Sequence, residues 1–316
     1  MLVLNFLFFV ISCVVLFGSG ILLVKSLENI ARFLRIAEFT AAFIIMAVAT
    51  SLPELFVGIF SAIEKTTSIS LGNIVGATIL DLTLVTGLII IASRGIKITS
   101  KATKRDALFI LIPLSLLLVL FFIGNSLSRV DGAILVAVFF IYSYLLIKER
   151  KKEFKEKLED KVNRYKAVFQ SMAFIILLAI MLFSAKFVIH YAILLSSDLK
   201  LPPIMIGLFL ISIGTVLPEL TFGIAAALKN KGEVALGDQI GTIVTNSTLI
   251  IGIAALIYPV TTNVLLFMIS AAFLIVSAFI FVTFFQTGKK LYVIEGIALI
   301  LLYLLFVFVE FYVKLM

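Results

Sequence analysis

The chain has 316 residues, 62% of them hydrophobic and only 14% charged, against about 45–50% and about 25% in soluble domains. Apolar runs long enough to cross a bilayer recur from end to end, which excludes a soluble enzyme, a disordered tail, a disulfide scaffold and a β-barrel. The net charge of +8 is no argument for a nucleic-acid partner, because basic residues collect in the cytoplasmic loops of membrane proteins.

The expected fold is an all-α polytopic membrane protein of ten transmembrane helices. The first span is predicted at 2–24 and holds the single Cys13, which forbids an internal disulfide. Val10-Ile11-Ser12-Cys13 has the look of a lipoprotein cleavage box, but no basic stretch precedes it, so this span is expected to stay in place as a helix. Four more spans are predicted at 37–63, 70–93, 106–124 and 130–147. Lys148 to Lys166 is the only long polar stretch, and its alternating Lys and Glu suit a solvated, cytoplasmic helical connector. Five further spans are predicted at 168–196, 202–228, 234–258, 262–284 and 291–313. The chain thus divides into 1–147, a connector 148–166, and 167–316.

Basic residues test this layout. With the N-terminus outside, 21 of the 26 Lys and Arg fall in cytoplasmic connectors and 4 outside, with Lys186 inside a span. That asymmetry favours an integral protein of the cell membrane with both termini outside and an even number of spans.

An internal duplication follows from residues 49–54, Ala-Thr-Ser-Leu-Pro-Glu, and 214–219, Gly-Thr-Val-Leu-Pro-Glu. The same offset of 165 maps Gly58 to Gly223, Leu71-Gly72 to Leu236-Gly237, Gly76 to Gly241, Asp81 to Asn246 and Gly87 to Gly252, without a gap. Each half has an odd number of spans, so the second copy enters from the opposite side and the repeats are inverted. Inverted repeats with a site at their midplane interface are the architecture of secondary transporters.

Ionisable side chains inside a span cost on the order of 2.5–3.5 kcal/mol each and are functional by default. Glu54, Asp81 and Glu219 lie near the middle of spans two, three and seven, and Asn246 is the counterpart of Asp81 in span eight. Pro53 and Pro218 cannot donate to the carbonyls of Ala49 and Gly214, which frees backbone oxygens beside the glutamates. Thr50 and Ser51 stand four and three residues before Glu54, so their oxygens share its face. An all-oxygen, carboxylate-rich cage suits a hard cation such as calcium, whereas soft metals prefer Cys or His. A lone Pro-Glu is often only a kink with a helix-terminal acid, but two copies at matched repeat positions disfavour that reading. The Gly-xxx-Gly pairs at 72/76 and 237/241 fit close helix packing. Lys186 and His190 are better read as a snorkelling lysine and a buried or interfacial histidine than as a proton relay. Asp238, placed at the start of span eight as Asn73 is at the start of span three, is better read as an N-cap than as an ion-entry residue.

Ala49-Thr-Ser-Leu-Pro-Glu54 and Gly214-Thr-Val-Leu-Pro-Glu219, followed by Gly72-Asn-Ile-Val-Gly76 and Gly237-Asp-Gln-Ile-Gly241, resemble the two alpha-repeats of the sodium/calcium exchangers. The resemblance implies two inverted five-helix halves, with cations held between spans two, three, seven and eight. It implies Glu54 and Glu219 as central calcium ligands, Asp81 and Asn246 flanking them, and Thr50, Ser51, Thr215 and Thr242 adding oxygens. It also implies that spans one and six slide past a static core. Two departures remove hydroxyls: Val216 and Ala77 stand where the family usually has serine. The acid and amide at Asp81 and Asn246 are swapped relative to close prokaryotic relatives, which preserves the charge of the centre. Calcium binding is therefore better supported than sodium coupling.

The expected function is secondary antiport of calcium against sodium by alternating access, with no cofactor and no catalytic residue. Partners are the calcium and sodium ions and membrane lipid, with no nucleic acid, and a monomer is the expected assembly. A calcium/proton antiporter is the alternative, since crowded carboxylates also hold protons. A channel is disfavoured by the inverted halves, and an intramembrane hydrolase by the lack of a Gly-x-Ser-x-Gly elbow and by the single His190.

Overall fold

The computed structural model describes residues 2–33, 47–98, 101–150, 164–288 and 290–315. Among them, nine helices are long and apolar enough to cross a membrane: Leu2–Leu23, Thr67–Ala92, Thr103–Gly124, Arg129–Leu146, Phe169–Leu199, Pro203–Leu228, Gly232–Ile257, Val264–Thr287 and Val293–Val313. The protein is an all-α integral membrane protein. These nine fall on the first and the third to tenth spans expected from the sequence. The second is seen as Ala47–Thr50 and Leu52–Ile63, while its residues 37–46 lie outside the described residues, as do 151–163 of the charged connector.

Burial separates the helices into two classes. Spans three, seven and eight are 83%, 72% and 78% buried, whereas the other long helices bury only 28–39%. The central three carry the small and polar residues, and the outer helices turn large apolar side chains such as Phe183, Phe308 and Ile175 outward. That outward apolar face is what a lipid-facing helix requires.

The duplication is visible element by element. A shift of 165 residues carries Ala47–Thr50 onto Ser212–Thr215, Leu52–Ile63 onto Leu217–Leu228, and Thr67–Leu80 onto Gly232–Thr245. It also carries the π-helical turn Asp81–Val85 onto Asn246–Ile250, and Thr86–Ala92 onto Ile251–Ile257. Four short strands reveal the relative orientation of the copies. These are β1 (Ile96–Lys97), β2 (Ser126–Leu127), β3 (Val260–Thr261) and β4 (Lys290–Leu291). β1 pairs antiparallel with β4, and β2 with β3. The fourth span separates β1 from β2, so the repeat-equivalent strands β1 and β3 stand at opposite ends of it. The two copies are inverted, and each sheet joins one half to the other. Beside β1 and β4, the Lys104 ammonium donates to the Gly288 carbonyl at 2.5 Å and the Gln286 amide to the Lys104 carbonyl at 2.7 Å.

Glycines set how closely the halves interlock. A Cβ on Gly87 would lie 2.6 Å from the Gly296 carbonyl, and one on Gly252 would lie 2.9 Å from the Gly132 carbonyl. These are symmetry-related contacts: span three against span ten, and span eight against span five. Gly72 and Gly76 meet the backbone carbonyls of Ile204 and Leu208 on span seven so tightly that a Cβ has no room. Small residues permit such approach where lipid leaves no hydrophobic drive between helices.

We expect Gly87→Ala and Gly252→Ala to destabilise the protein by about 1–3 kcal/mol each, read as lowered thermal midpoints in detergent. Gly18→Ala, whose Cβ would meet nothing within 4 Å, should not lower the midpoint.

Candidate cation site at the paired helix breaks

Proline decides the local geometry. It is tolerated in the first turn of a helix, where its missing N–H is not needed. Span two accordingly breaks at Ser51 and restarts at Leu52, and span seven breaks at Val216 and restarts at Leu217. Pro53 and Pro218 then occupy the first turn, with Glu54 and Glu219 third in their helices. A carboxylate at that position faces the positive end of the helix dipole. The sequence Leu-Pro-Glu therefore does more than release a carbonyl. It begins a helix in the middle of the membrane and sets an acid at its start.

Span three and span eight supply the flanking pair. In each, the α-helix passes into a π-helical turn at the residue of interest, Asp81 in one and Asn246 in the other. A π-turn widens the helix by one residue per turn and redirects the side chains that follow, and it recurs at functional sites.

All eight residues expected at the site, Thr50, Ser51, Glu54, Asp81, Thr215, Glu219, Thr242 and Asn246, are fully buried. The hydroxyls are arranged as acceptors. Thr50 and Ser51 both donate back to the Ala47 carbonyl, at 3.2 and 2.8 Å, leaving their lone pairs free. Contacts cross between the halves: the Thr50 and Thr242 hydroxyls are 3.4 Å apart, and Thr215 donates to the Asn73 Oδ1 at 3.1 Å. Thr215 lies beside Glu54, and Thr50 beside Glu219, in a reciprocal exchange.

Both carboxylate oxygens of Glu54, Asp81 and Glu219, and both amide atoms of Asn246, are buried without a hydrogen-bond partner. Buried polar groups are almost always paired, so such a concentration points to a ligand class. The donor set is all oxygen apart from one amide nitrogen, which fits a hard cation. Among the described residues, no three His, Cys, Asp or Glu side chains gather tightly enough to hold one metal ion. An ion here must therefore draw on hydroxyl and carbonyl oxygens as well as on the two glutamates.

Three positions differ from the sequence reading. Span eight begins at Gly232 with Lys231 as its N-cap, so Asp238 is not an N-cap. It sits within the helix, is 2% exposed, and has both oxygens unpartnered. It lies close enough to Asp81 and Glu219 for their charges to interact. Asn73 likewise lies inside span three, whose helix starts at Thr67. Glu310, near the end of span ten, is an intramembrane acid that the sequence reading passed over. It is fully buried and accepts a hydrogen bond from Ser270 on span nine. Lys186 and His190 lie on the exposed side of span six, so the histidine is not buried.

The first helix caps this centre. A Cβ on Gly20 would touch the rings of both Pro53 and Pro218, at 3.2 and 3.3 Å, and the Phe17 ring fills the notch at Gly214. Span one packs along span six, and Asn5 donates to Asp198 at 2.8 Å to tie their ends.

A family profile described as sodium/calcium exchanger protein matches residues 4–148 and 170–312. The sodium/calcium exchanger MaX1 of Methanosarcina acetivorans is 28% identical over 99% of this chain and 100% of its own length. The uncharacterized membrane protein MJ0091 of Methanocaldococcus jannaschii is 32% identical over 77% of this chain and 78% of its own. Solved structures of the sodium-calcium exchanger NCX_Mj share the fold. One soaked with 10 mM Na+ and no Ca2+ has a TM-score of 0.67 at 27% identity, covering 96% of this chain and 98% of that one.

Unpartnered carboxylates oppose folding whenever no cation is present. In chelator with choline as the only salt, we expect Glu54→Gln and Glu219→Gln to melt above the parent protein, by about 0.5–2 kcal/mol in stability. Midpoints at or below the parent's would mean that the glutamates already have partners.

Proposed function

The chain belongs to the sodium/calcium exchanger family, and from that premise we propose that this cation antiporter exchanges calcium for sodium across the cell membrane. The observation that carries the reading is the set of six carboxylate oxygens on Glu54, Asp81 and Glu219, buried without partners between the inverted halves.

Glu54 and Glu219 bind calcium from the two helix starts, with Asp81 and Asn246 flanking. Thr50, Ser51, Thr215 and Thr242 complete the shell with neutral oxygens. Three carboxylates balance either one Ca2+ with a residual charge or several monovalent ions. Both cannot occupy one cage together, and mutually exclusive occupancy is the thermodynamic basis of antiport. Alternating access follows from inverted repeats, because residues 1–147 and 167–316 exchange conformations when the opening changes sides. The basic connectors support an orientation with both termini outside.

One observation favours protons as the counter-ion instead. Val216 and Ala77 are buried where a hydroxyl would supply a sodium ligand.

In proteoliposomes, calcium uptake should follow an outward sodium gradient and vanish in Glu54→Gln, a loss of at least about a hundredfold. Undiminished flux in that variant would sink the proposal. Uptake driven by a pH gradient but not by sodium would transfer it to calcium/proton exchange, and uptake with no counter-ion on the far side would make the protein a channel.

A further inference from the structure

Span six carries a lysine where a membrane helix has least use for one. Gly20 meets the rings of both mid-membrane prolines, and its repeat counterpart is Ala185. Lys186 therefore lies within about a turn of the bilayer midplane. It is exposed, as are Phe183, Phe187 and His190 around it. Charges at that depth are costly and nearly always face a partner or a water-filled interior. Among the described residues Lys186 has no ion-pair partner. No Asp or Glu occurs in 2–23 of span one or in 169–197 of span six, and Asp198 already accepts from Asn5. Geometry also opposes escape to an interface. The apolar helix runs Phe169–Leu199, which puts its C-terminal end about 20 Å from Lys186 and its N-terminal end about 26 Å away, at about 1.5 Å per residue. Helical side chains lean toward the N-terminus, the longer way out.

Beside this lysine, spans one and six border a groove of about 560 Å3, lined by Ile11 and Val15 from one helix and by Ile176, Ile180, Phe183 and Phe187 from the other. Ligand sites commonly have such volumes, about 300–1,000 Å3. Two serines in its wall have already given their protons away: Ser12 donates to the Phe8 carbonyl at 2.7 Å, and Ser184 to the Ile180 carbonyl at 2.8 Å. The groove thus offers apolar contact along its length. From Ile176 to Lys186 is about 15 Å along the helix. That is half of the roughly 30 Å hydrocarbon core, and so the reach of one acyl chain. His190, one turn beyond Lys186, adds a ring nitrogen on the same exposed face. Its ring meets Tyr191 edge-on, and Tyr191 stacks on Phe8 of span one.

We propose that this groove binds a long-chain fatty acid, with its carboxylate on Lys186 and His190 and its chain running along the two helices to Ile176. Depth selects the class of occupant. A phospholipid would have to bring its phosphate, its glycerol and a second chain to the midplane. A fatty acid brings one carboxyl group and one chain, which match one ammonium and one groove. The occupant touches both helices and so fastens span one to span six. The site is independent of which ions the centre exchanges.

The chain has no tryptophan, so Phe183→Trp places a sole fluorophore in the groove wall. The test reconstitutes this full chain in phosphatidylcholine vesicles and adds 9,10-dibromostearic acid, dibrominated phosphatidylcholine or dibrominated phosphatidylglycerol at equal bromine content. The fatty acid should quench with an apparent affinity at least about tenfold above either phospholipid. Adding Lys186→Gln should remove that preference, and Lys186→Arg should keep it. The reporter Phe308→Trp, on the exposed face of span ten, should show no preference, which separates the groove from general partition into the bilayer. Equal quenching by the three probes, a preference for phosphatidylglycerol, or a preference that survives Lys186→Gln would overturn the proposal. So would a groove tryptophan that no probe reaches, because a second copy of the chain would then cover this face.

Discussion

A carboxylate in the middle of a bilayer is tolerated only if something other than water compensates its charge. Glu54, Asp81, Glu219 and Asp238 are all buried, and none has a hydrogen-bond partner for either oxygen. Much of the architecture is organised around that constraint. Two helices start at the midplane so that their dipoles face the glutamates. Two π-turns open at the flanking residues, and the Thr50 and Ser51 hydroxyls give their protons back to the Ala47 carbonyl, which leaves oxygen lone pairs rather than protons to offer. What these devices leave uncompensated is the affinity available to a cation.

The same constraint explains the tight packing around the site. Helices carrying polar residues must exclude lipid completely, and the glycines at 72, 76, 87 and 252 allow backbone to meet backbone. Burial is concentrated on spans three, seven and eight as a result. The peripheral helices then need only apolar outer faces, and their sequences are correspondingly plain.

Much of this was legible in the sequence because it is written in residue identity. The offset of 165, the paired Leu-Pro-Glu segments and the Asp81–Asn246 correspondence needed only the letters, and the inverted orientation followed from an odd span count per half. Other features were not legible, for physical reasons. A π-turn has no side-chain signature, so the widening at Asp81 and Asn246 was invisible. Asp238 was misread because polar residues such as Glu233 obscure where an apolar run begins, which shifted the expected start of span eight to 234, past Gly232. Glu310 escaped notice because an acid near a span end looks interfacial, and only the fold brings Ser270 against it. The cross-half link from Thr215 to Asn73 joins residues 142 apart, a pairing that no local pattern encodes.

The contact of Gly20 with both prolines has a consequence for the resting protein. Under the duplication, Gly20 corresponds to Ala185, Phe17 to Leu182, and Gly214 to Ala49. The second half thus carries a methyl group and a leucine where the first carries a bare glycine and a phenyl ring, and the first half has Ala49 where the second offers a notch at Gly214. At this contact the two halves are not interchangeable, and the pseudo-symmetry is broken by steric volume alone.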